Sequence, residues 1–348
     1  MSSKIELPFL KIKLGGTPTV IAEIGINHNG CINNAIKMAD LAIKSGANII
    51  KHQTHFVDDE MSLEAKRMKV GYIGDSIWNL MEKCALSKDE EIKLKKFVES
   101  RKTTYLSTPF SRSAADFLND INVPAFKIGS GECNNFPLIE HISNFGKPII
   151  LSTGMNNLKS IDTAVKIMKK KKVSFALMHT TNSYPTPDKS VRLGGLSELK
   201  NKYRNTIIGI SDHTIGNLAC FSGVALGADI VERHFTDTMK RKGPDIVCSM
   251  DPISCKELTE GVKRIAEMRG GKKGLVDCEK KVANFAFGSV VSSNKIKKGE
   301  KLTKKNIWVR RPGNGFYKAK DYTSLIGKIA SRDIKNNFQL KKNDIKKN

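Results

Sequence analysis

Residues 207–214 read Ile207-Ile208-Gly209-Ile210-Ser211-Asp212-His213-Thr214, a short apolar run that stops abruptly at polar and charged side chains. A second run of the same kind, Asp229-Ile230-Val231-Glu232-Arg233-His234, also ends at a histidine. Apolar, β-branched runs that stop at polar residues are typical of the buried strands of a parallel barrel, where functional side chains collect at the C-terminal strand ends. The two segments therefore predict neighbouring barrel strands, each carrying an imidazole at its end.

Further apolar runs precede these two, and most are separated by stretches with helical period. The earlier runs are Val20–Ala22, Ile49–Ile50, Tyr105–Leu106, Ala125–Phe126, Ile149–Leu151 and Phe175–Met178. Eight strand–helix units in about 250 residues are typical of a (β/α)8 barrel, the TIM barrel, which is the predicted α/β fold. A doubly wound open sheet is the alternative, but it usually has fewer strands and a glycine-rich phosphate turn after the first one. The segment from Gly25 to Gly30 has the wrong spacing for that turn.

The periodicity breaks near residue 270, at Arg269-Gly270-Gly271-Lys272-Lys273-Gly274. A basic, glycine-rich stretch of this kind indicates a flexible linker. Beyond it, short apolar runs at Ser289–Val291 and Ile307–Val309 alternate with turn sequences, which indicates a small β-rich module. We expect a barrel over residues 1–270, a linker over residues 271–284 and a C-terminal domain over residues 285–348.

Length and composition exclude several classes of protein. The chain has 348 residues, enough for one large domain and a small appendage. No apolar run approaches the roughly 20 residues of a membrane span, and the N-terminal residues do not resemble a secretory signal. We therefore expect a cytoplasmic protein without a membrane partner. Its seven cysteines show no paired spacing and are expected to be free thiols.

The net charge of +24 raises the question of a polyanionic partner. The lysines are spread along helix faces and tails without interleaved aromatic residues, which argues against nucleic acid. A strongly basic molecule also attracts small anions. We therefore expect no nucleic-acid partner and a small anionic substrate.

Polar residues follow each predicted strand, and in a barrel they converge at the C-terminal mouth. Two lysines among several hydroxyl groups would form a cradle for a phosphate or carboxylate group, because lysine supplies charge and serine and threonine supply donors. The residues collected in this way are Glu23, Asn27, Lys51, Gln53, His55, Thr108, Ser111, Lys127, Ser130, Glu132, Ser152, Asn182, Tyr184, Ser211, His213, His234 and Asp245.

His213 and His234 predict a metal site, since two imidazoles with oxygen ligands from substrate and water suit a divalent ion such as manganese or zinc. The alternative for each histidine alone is a structural, hydrogen-bonded side chain. Glu23 and Glu132 can serve as general bases at strand ends; the alternative is an ion pair with Lys51 or Lys127.

Several ordered motifs closely resemble those of bacterial N-acetylneuraminate (sialic acid) synthases, and the resemblance covers nearly the whole chain. It includes a C-terminal antifreeze-like (SAF) domain with its Arg311-Pro312-Gly313-Asn314-Gly315 loop. The motifs are Glu23–Gly30, Lys51–His55, Ser107–Ser111, Lys127–Asn135, Glu232–Thr236 and Gly243–Met250.

The resemblance implies condensation of phosphoenolpyruvate with N-acetylmannosamine and water, giving N-acetylneuraminate and phosphate by C–O cleavage. It implies a divalent ion, Mn²⁺ with Mg²⁺ or Co²⁺ as alternatives, on His213 and His234. The water-activating base would be Glu132. Arg311 would reach the acetamido group across a domain-swapped homodimer. By the same likeness Glu23, Gln53, Tyr184 and Asp245 would face the sugar, and phosphoenolpyruvate would lie among Lys51, Thr108, Lys127, Ser130, Ser152, Asn182 and Ser211.

One loop departs from the family pattern, because Tyr72 stands where the family usually has an asparagine directed toward the sugar. A bulkier phenol can change which sugar fits. A related synthase that uses a 2,4-diacetamido hexose, of the legionaminate or pseudaminate type, is therefore the alternative acceptor reading. A Schiff-base aldolase would need Lys127 as its nucleophile. An ice- or glycan-binding C-terminal module would need a flat threonine-rich face, and this tail is rich in lysine instead.

Overall fold

The structure is a computed structural model that describes residues 6–69 and 74–346. Tyr72, the residue of the divergent loop, lies outside these described residues. The chain divides into two compact units, Met1–Gly270 and Gly271–Asn348. Within the described ranges, no helix has both the length and the apolar character that crossing a bilayer requires.

The first unit contains eight parallel strands arranged as a ring. A short hairpin precedes the ring, and the strands in chain order are β1 (Glu6–Leu7), β2 (Ile12–Lys13), β3 (Thr19–Gly25), β4 (Ile49–Thr54), β5 (Thr104–Pro109), β6 (Phe126–Ile128), β7 (Ile149–Ser152), β8 (Phe175–Thr180), β9 (Ile207–Asp212) and β10 (Ile230–His234). The order of the ring strands in the sheet is β5-β4-β3-β10-β9-β8-β7-β6, and β5 also packs against β6. The predicted (β/α)8 barrel is thereby confirmed.

Helices follow the barrel strands and cover their outer faces. They are α1 (Ile32–Lys44), α2 (Val57–Glu60), α3 (Ile77–Cys84), α4 (Lys88–Ser100), α5 (Arg112–Asp120), α6 (Phe136–Ser143), α7 (Leu158–Lys170), α8 (Asp188–Val191), α9 (Leu193–Lys202), α10 (Leu218–Ala225) and α11 (Pro252–Met268). Short 3₁₀ turns lie at Leu63–Lys66, Gly131–Asn134 and Ile246–Cys248.

Helix α7 shows why these segments are helical. Asn157 caps its first turn by accepting a hydrogen bond from the backbone N–H of Ser160. Its buried residues are Ile161, Ala164, Val165 and Met168, which recur three and four positions apart on one face. The apolar face therefore packs against the barrel, and burying each of its large side chains stabilises the fold by roughly 2 kcal/mol.

Alternation along the barrel strands separates an apolar floor from a polar mouth. Ile21, Ile49 and Ile230 pack in the lower interior together with Leu7 and Ile12 of the hairpin. Two residues further along each strand, the inward positions become polar, because side chains of a strand alternate between its faces. The pairing of Glu23 with Lys51 and of His234 with Glu23 sets these polar positions side by side.

The second unit is a small β-rich domain with its own core. Its strands β11 (Ser289–Ser292) and β12 (Ile307–Arg310) pair antiparallel, and the buried residues include Val290, Leu302 and Leu340. The segment predicted as a linker has regular structure, a 3₁₀ turn at Asp277–Glu279 and the start of α12. The remaining elements are α12 (Lys280–Ala286), α13 (Tyr322–Leu325) and 3₁₀ turns at Ala319–Asp321 and Lys342–Asp344.

Candidate active site

A cavity of about 130 Å³ lies at the C-terminal mouth of the barrel. Side chains from all eight barrel strands or the loops after them line it, as the strand-end argument predicts. The lining residues are Glu23, Lys51, Gln53, Thr108, Phe110, Lys127, Gly129, Ser130, Gly131, Ser152, Thr180, Asn182, Tyr184, Ser211, His213, Glu232 and His234. The structure thus brings together twelve of the predicted site residues.

Two buried lysines lie at the bottom of the mouth cavity, each beside a hydroxyl group. Lys51 Nζ donates to Thr108 Oγ1 at 3.2 Å, and Lys127 Nζ donates to Ser152 Oγ at 2.6 Å. Both lysines are at most 3% exposed. A small anion placed between them would receive charge-assisted hydrogen bonds from two ammonium groups.

Burial governs the electrostatics of these two lysines. It lowers the pKa of Lys51 to about 7, with Lys127 lowering it further and Glu232 opposing. Burial also lowers the pKa of Lys127, again against Glu232. An anionic ligand would favour the charged form of both lysines, so its binding is coupled to their protonation.

Glu232 is the functional candidate that strand-end reasoning missed. Its Oε1 accepts from Ser211 Oγ at 3.1 Å and lies 3.7 Å from Lys127 Nζ, whereas its Oε2 is buried without a partner among the described residues. Burial raises the pKa of Glu232, but Lys127 and Lys51 outweigh it and hold the pKa below its usual value. Alternation within β10 was the available signal, since Ile230, Glu232 and His234 must share one face.

His213 and His234 stand close together at the rim, with ring centroids 5.3 Å apart. His213 Nδ1 donates to the Thr181 carbonyl oxygen at 2.8 Å, which leaves the lone pair on Nε2. Burial lowers the pKa of His213 to about 4 and that of His234 to about 3. Both rings are therefore neutral near pH 7, which is the form that ligates metals.

The pair fits a divalent cation in one further respect. His234 Nδ1 is buried without a hydrogen-bond partner among the described residues, and Asp245 Oδ2 lies 3.5 Å from it. Within residues 6–69 and 74–346, no cluster of three histidine, cysteine or acidic side chains is arranged to hold an ion. Any cation on the two imidazoles would therefore need further oxygen ligands from substrate or water.

The two proposed bases differ in environment. Glu23 forms the ion pair with Lys51 that the sequence offered as an alternative to a catalytic role. Glu132 pairs with neither lysine; its Oε2 accepts from Asn135 Nδ2 at 2.6 Å, and burial raises its pKa. It belongs to the turn Gly131–Asn134 and lies beside, not in, the lining of the mouth cavity.

The other predicted residues outside the lining are Asn27, His55, Ser111, Asp245 and Arg311. Asp245 stands behind His234, and burial raises its pKa to about 6. Arg311 belongs to the second unit, directly after β12. Phe110, Gly129, Gly131 and Thr180 line the cavity without having been predicted.

An eight-stranded barrel with two buried lysines and paired imidazoles at its mouth, followed in the chain by a small β-rich domain, is the architecture of a (β/α)8-barrel enzyme. Residues 38–274 match the NeuB family and residues 287–346 match the SAF domain. The chain belongs to the NeuB family, and the predicted resemblance is confirmed.

Three of the similar proteins are named as synthases or a synthetase of sugar acids. N,N'-diacetyllegionaminic acid synthase of Campylobacter jejuni is 35% identical over 324 residues, 91% of this chain and 96% of that protein. N-acetylneuraminate-9-phosphate synthase of Drosophila melanogaster is 30% identical over 352 residues, which cover 92% of this chain and 94% of that protein. The crystal structure of N-acetylneuraminic acid (sialic acid) synthetase from Leptospira borgpetersenii in complex with citrate is similar with a TM-score of 0.73 and 32% identity, covering 81% of this chain and 95% of that one.

Proposed function

We propose that this protein condenses phosphoenolpyruvate with N-acetylmannosamine and water to form N-acetylneuraminate and phosphate. The observation that carries the proposal is the pair of buried lysines at the mouth, each hydrogen-bonded to a hydroxyl group. A buried double cation at a barrel mouth suits a small, highly charged substrate. The three relatives described above, which are named as synthases or a synthetase of sugar acids, support the same class of reaction.

Lys51 and Lys127 hold the anionic groups of phosphoenolpyruvate in this proposal, with Thr108 and Ser152 as additional donors. Ser130 and Asn182 also line the cavity, and Asn182 Nδ2 donates to the hydroxyl of Tyr184 at 3.2 Å. Fixing the enol this way replaces an encounter in solution by a positioned attack. The new bond joins C3 of phosphoenolpyruvate to the aldehyde carbon of the open-chain sugar.

His213 and His234 would hold the divalent cation, Mn²⁺ in this proposal with Mg²⁺ or Co²⁺ as alternatives, which when bound supplies Lewis-acid polarisation of the aldehyde oxygen. Glu23 and Gln53 face the sugar from β3 and β4. The nine-carbon product requires water to add at C2 and the C2–O bond to phosphate to break. Glu132 takes the proton of that water, a role that its raised pKa favours.

Arg311 is assigned to the acetamido group of the acceptor. This assignment includes a domain-swapped homodimer in which the second unit of one chain serves the barrel of its partner. The assignment rests on the family resemblance.

A 2,4-diacetamido hexose is the second candidate acceptor. Two observations favour it: the 35% identity to the legionaminic acid synthase of Campylobacter jejuni, and Tyr72 in place of the asparagine usual in the resembling family. The chemistry at the lysines and at C2 would be unchanged. Only the contacts to the sugar at C4 would differ.

The deciding experiment measures phosphate release from phosphoenolpyruvate by chelator-treated protein supplied with Mn²⁺. N-acetylmannosamine and the 2,4-diacetamido hexose are assayed in parallel, and the masses of the products are determined by mass spectrometry. Bridging-¹⁸O phosphoenolpyruvate should deliver its label to phosphate if the C–O bond breaks. If only the diacetamido hexose is turned over, that sugar is the acceptor in place of N-acetylmannosamine. If neither sugar leads to phosphate release, the proposal is contradicted.

A separate arm tests Lys127 as a Schiff-base nucleophile. Its lowered pKa is the observation that keeps this alternative open. Pyruvate and borohydride should leave the mass of the protein unchanged. A covalent adduct on Lys127 would favour an aldolase instead.

A further inference from the structure

A second cavity, separate from the mouth, lies between helices α7 and α9. At about 790 Å³ it is far larger than the mouth cavity of about 130 Å³. We call it the α7–α9 groove. The side chains that matter for its chemistry are Thr153, Asn156, Lys159, His179, Arg192 and Glu198.

His179 presents an unused acceptor to this groove. The side chain is only 7% exposed, and its Nε2 donates to the Val191 carbonyl oxygen at 2.7 Å. The lone pair therefore lies on Nδ1, and no donor within residues 6–69 and 74–346 forms a hydrogen bond with it. Gly195 leaves that atom accessible, because a Cβ there would lie 3.1 Å from Nδ1 and 2.8 Å from Cε1.

Positive charge surrounds this acceptor. Lys159 lies in the first turn of α7, where backbone N–H groups point out of the helix, and Arg192 immediately precedes α9. The charge of Arg192 is close enough to add to the effect of burial in lowering the pKa of His179. Neither Lys159 nor Arg192 forms an ion pair within the described part of the chain.

The groove also offers a second acceptor, the exposed carboxylate of Glu198. Two cationic side chains and a helix N-terminus select an anionic group. A buried imidazole lone pair and a carboxylate select hydroxyl donors. Phosphate alone would leave the two acceptors unpaired, and a neutral sugar would leave the two cations unpaired.

We propose that the α7–α9 groove is a second binding site for a small polyhydroxylated anion, either a sugar acid or a sugar phosphate. The site is distinct from the mouth but shares a wall with it. Asn156 Nδ2 donates to the Ser130 carbonyl oxygen at 3.0 Å, and Ser130 lines the mouth. Thr180 lines both cavities. A ligand that contacts Asn156 therefore acts on the position of Ser130.

Calorimetry tests the site directly, with N-acetylneuraminate as the sugar acid and N-acetylmannosamine 6-phosphate as the sugar phosphate. Titrations are made in saturating phosphoenolpyruvate without added metal, so that the mouth is occupied. Lys159→Gln removes one charge-assisted contact, and Gly195→Ala places a methyl group 3.1 Å from Nδ1 of His179. Each substitution should weaken binding of the probes by about tenfold. Whichever probe binds more tightly identifies the source of the anion.

Matched controls exist on the same two helices. Lys166→Gln removes an equal charge from an exposed position of α7 outside the groove, and Gly194→Ala adds a methyl group where nothing lies within 4 Å. Both should bind the probes as tightly as the unaltered protein. No binding of either probe, unchanged binding in Lys159→Gln, or an equal loss in Lys166→Gln would overturn the proposal.

The coupling to the mouth has a kinetic readout that rests on the proposed function, whereas the calorimetry does not. The tighter probe should change the KM for phosphoenolpyruvate in the unaltered protein and leave it unchanged in Lys159→Gln. An unchanged KM in the unaltered protein would overturn the coupling while leaving the binding site standing. Absence of any turnover would count against the proposed function alone.

Discussion

Glu232 Oε1 lies 3.7 Å from the ammonium nitrogen of Lys127, and both side chains are buried at the barrel mouth. Among the neighbouring charges, this carboxylate opposes most strongly the lowering of the pKa by burial at both Lys51 and Lys127. Glu232 therefore favours the charged form of two buried lysines, which is the form that an anionic substrate needs.

Replacing Glu232 with glutamine should move the alkaline limb of the kcat/KM profile to lower pH. Lys51 must be protonated to bind an anion, its pKa is about 7, and loss of the carboxylate lowers that pKa further. At pH 8 we expect kcat/KM for phosphoenolpyruvate to fall by about tenfold, and by less at pH 6. Glu140→Gln, at an exposed position, is the control. A pH-independent loss would point to a structural role for Glu232.

A methyl group at Gly154 should impair the mouth without removing a polar group. It would collide with Asn182 Oδ1 and lie 2.9 Å from Ser130 Oγ, so both side chains would have to move. We expect this displacement of Asn182 and Ser130 to raise the KM for phosphoenolpyruvate by about tenfold or more, because small errors in the position of a binding group are costly. Gly194→Ala, in α9 outside the lining of the mouth and with nothing within 4 Å, is the matched control. Equal kinetics for the two variants would contradict the close packing of this loop.

The paired imidazoles predict a metal affinity that can be measured apart from turnover. His234→Ala should weaken Mn²⁺ binding by about tenfold or more in an electron paramagnetic resonance titration, since one of two protein ligands is lost. His141→Ala, whose ring pairs with Asp116 away from the mouth, should bind Mn²⁺ as before. Identical Mn²⁺ affinities for the two variants would remove His234 from the metal site.

Acidification should destabilise the fold through His28. Burial, and then the neighbouring His52, lowers the pKa of His28 from 6.5 to about 3. Between these values the unfolded chain binds a proton that the folded protein excludes, so stability falls as the pH falls, by about 1.4 kcal/mol per pH unit. Urea unfolding of metal-free His28→Gln from pH 6.5 to 4 should show a shallower slope. Parallel slopes would contradict the assignment.

Arg311→Gln should raise the KM for the acceptor sugar while leaving the KM for phosphoenolpyruvate nearly unchanged. The guanidinium is assigned to the acetamido group, and one such contact is worth about tenfold. Arg310→Gln removes the adjacent arginine, whose Nη1 donates to Asn337 Oδ1 at 2.6 Å. Sedimentation should show a dimer for both variants. A monomer with full activity would refute the swapped arrangement.

Much of the barrel could be predicted from the sequence because its strands are local apolar runs with polar ends. Lys51, Lys127, His213 and His234 are all found at the mouth for that reason. Glu232 was missed because strand ends were collected without following alternation into the strand itself. Glu132 is predicted at a strand end but lies in the turn Gly131–Asn134, where the direction of a side chain does not follow from the strand period.

The α7–α9 groove could not be predicted in the same way. It depends on two helices that are separate in the sequence and on which ring nitrogen of His179 is engaged by Val191. Tautomer and access are properties of the packed structure. A lone histidine in an apolar run gives no indication of either one.

The hairpin β1–β2 seats Leu7 and Ile12 in the floor of the barrel, at the end of the strands opposite the mouth. A tag or surface anchor joined ahead of the hairpin would therefore emerge on the blind side of the ring. Immobilised in that orientation, the protein would keep its mouth turned toward the flowing solution. The same arrangement means that the packing of the hairpin is complete only when Ile230, in the last barrel strand, is in place.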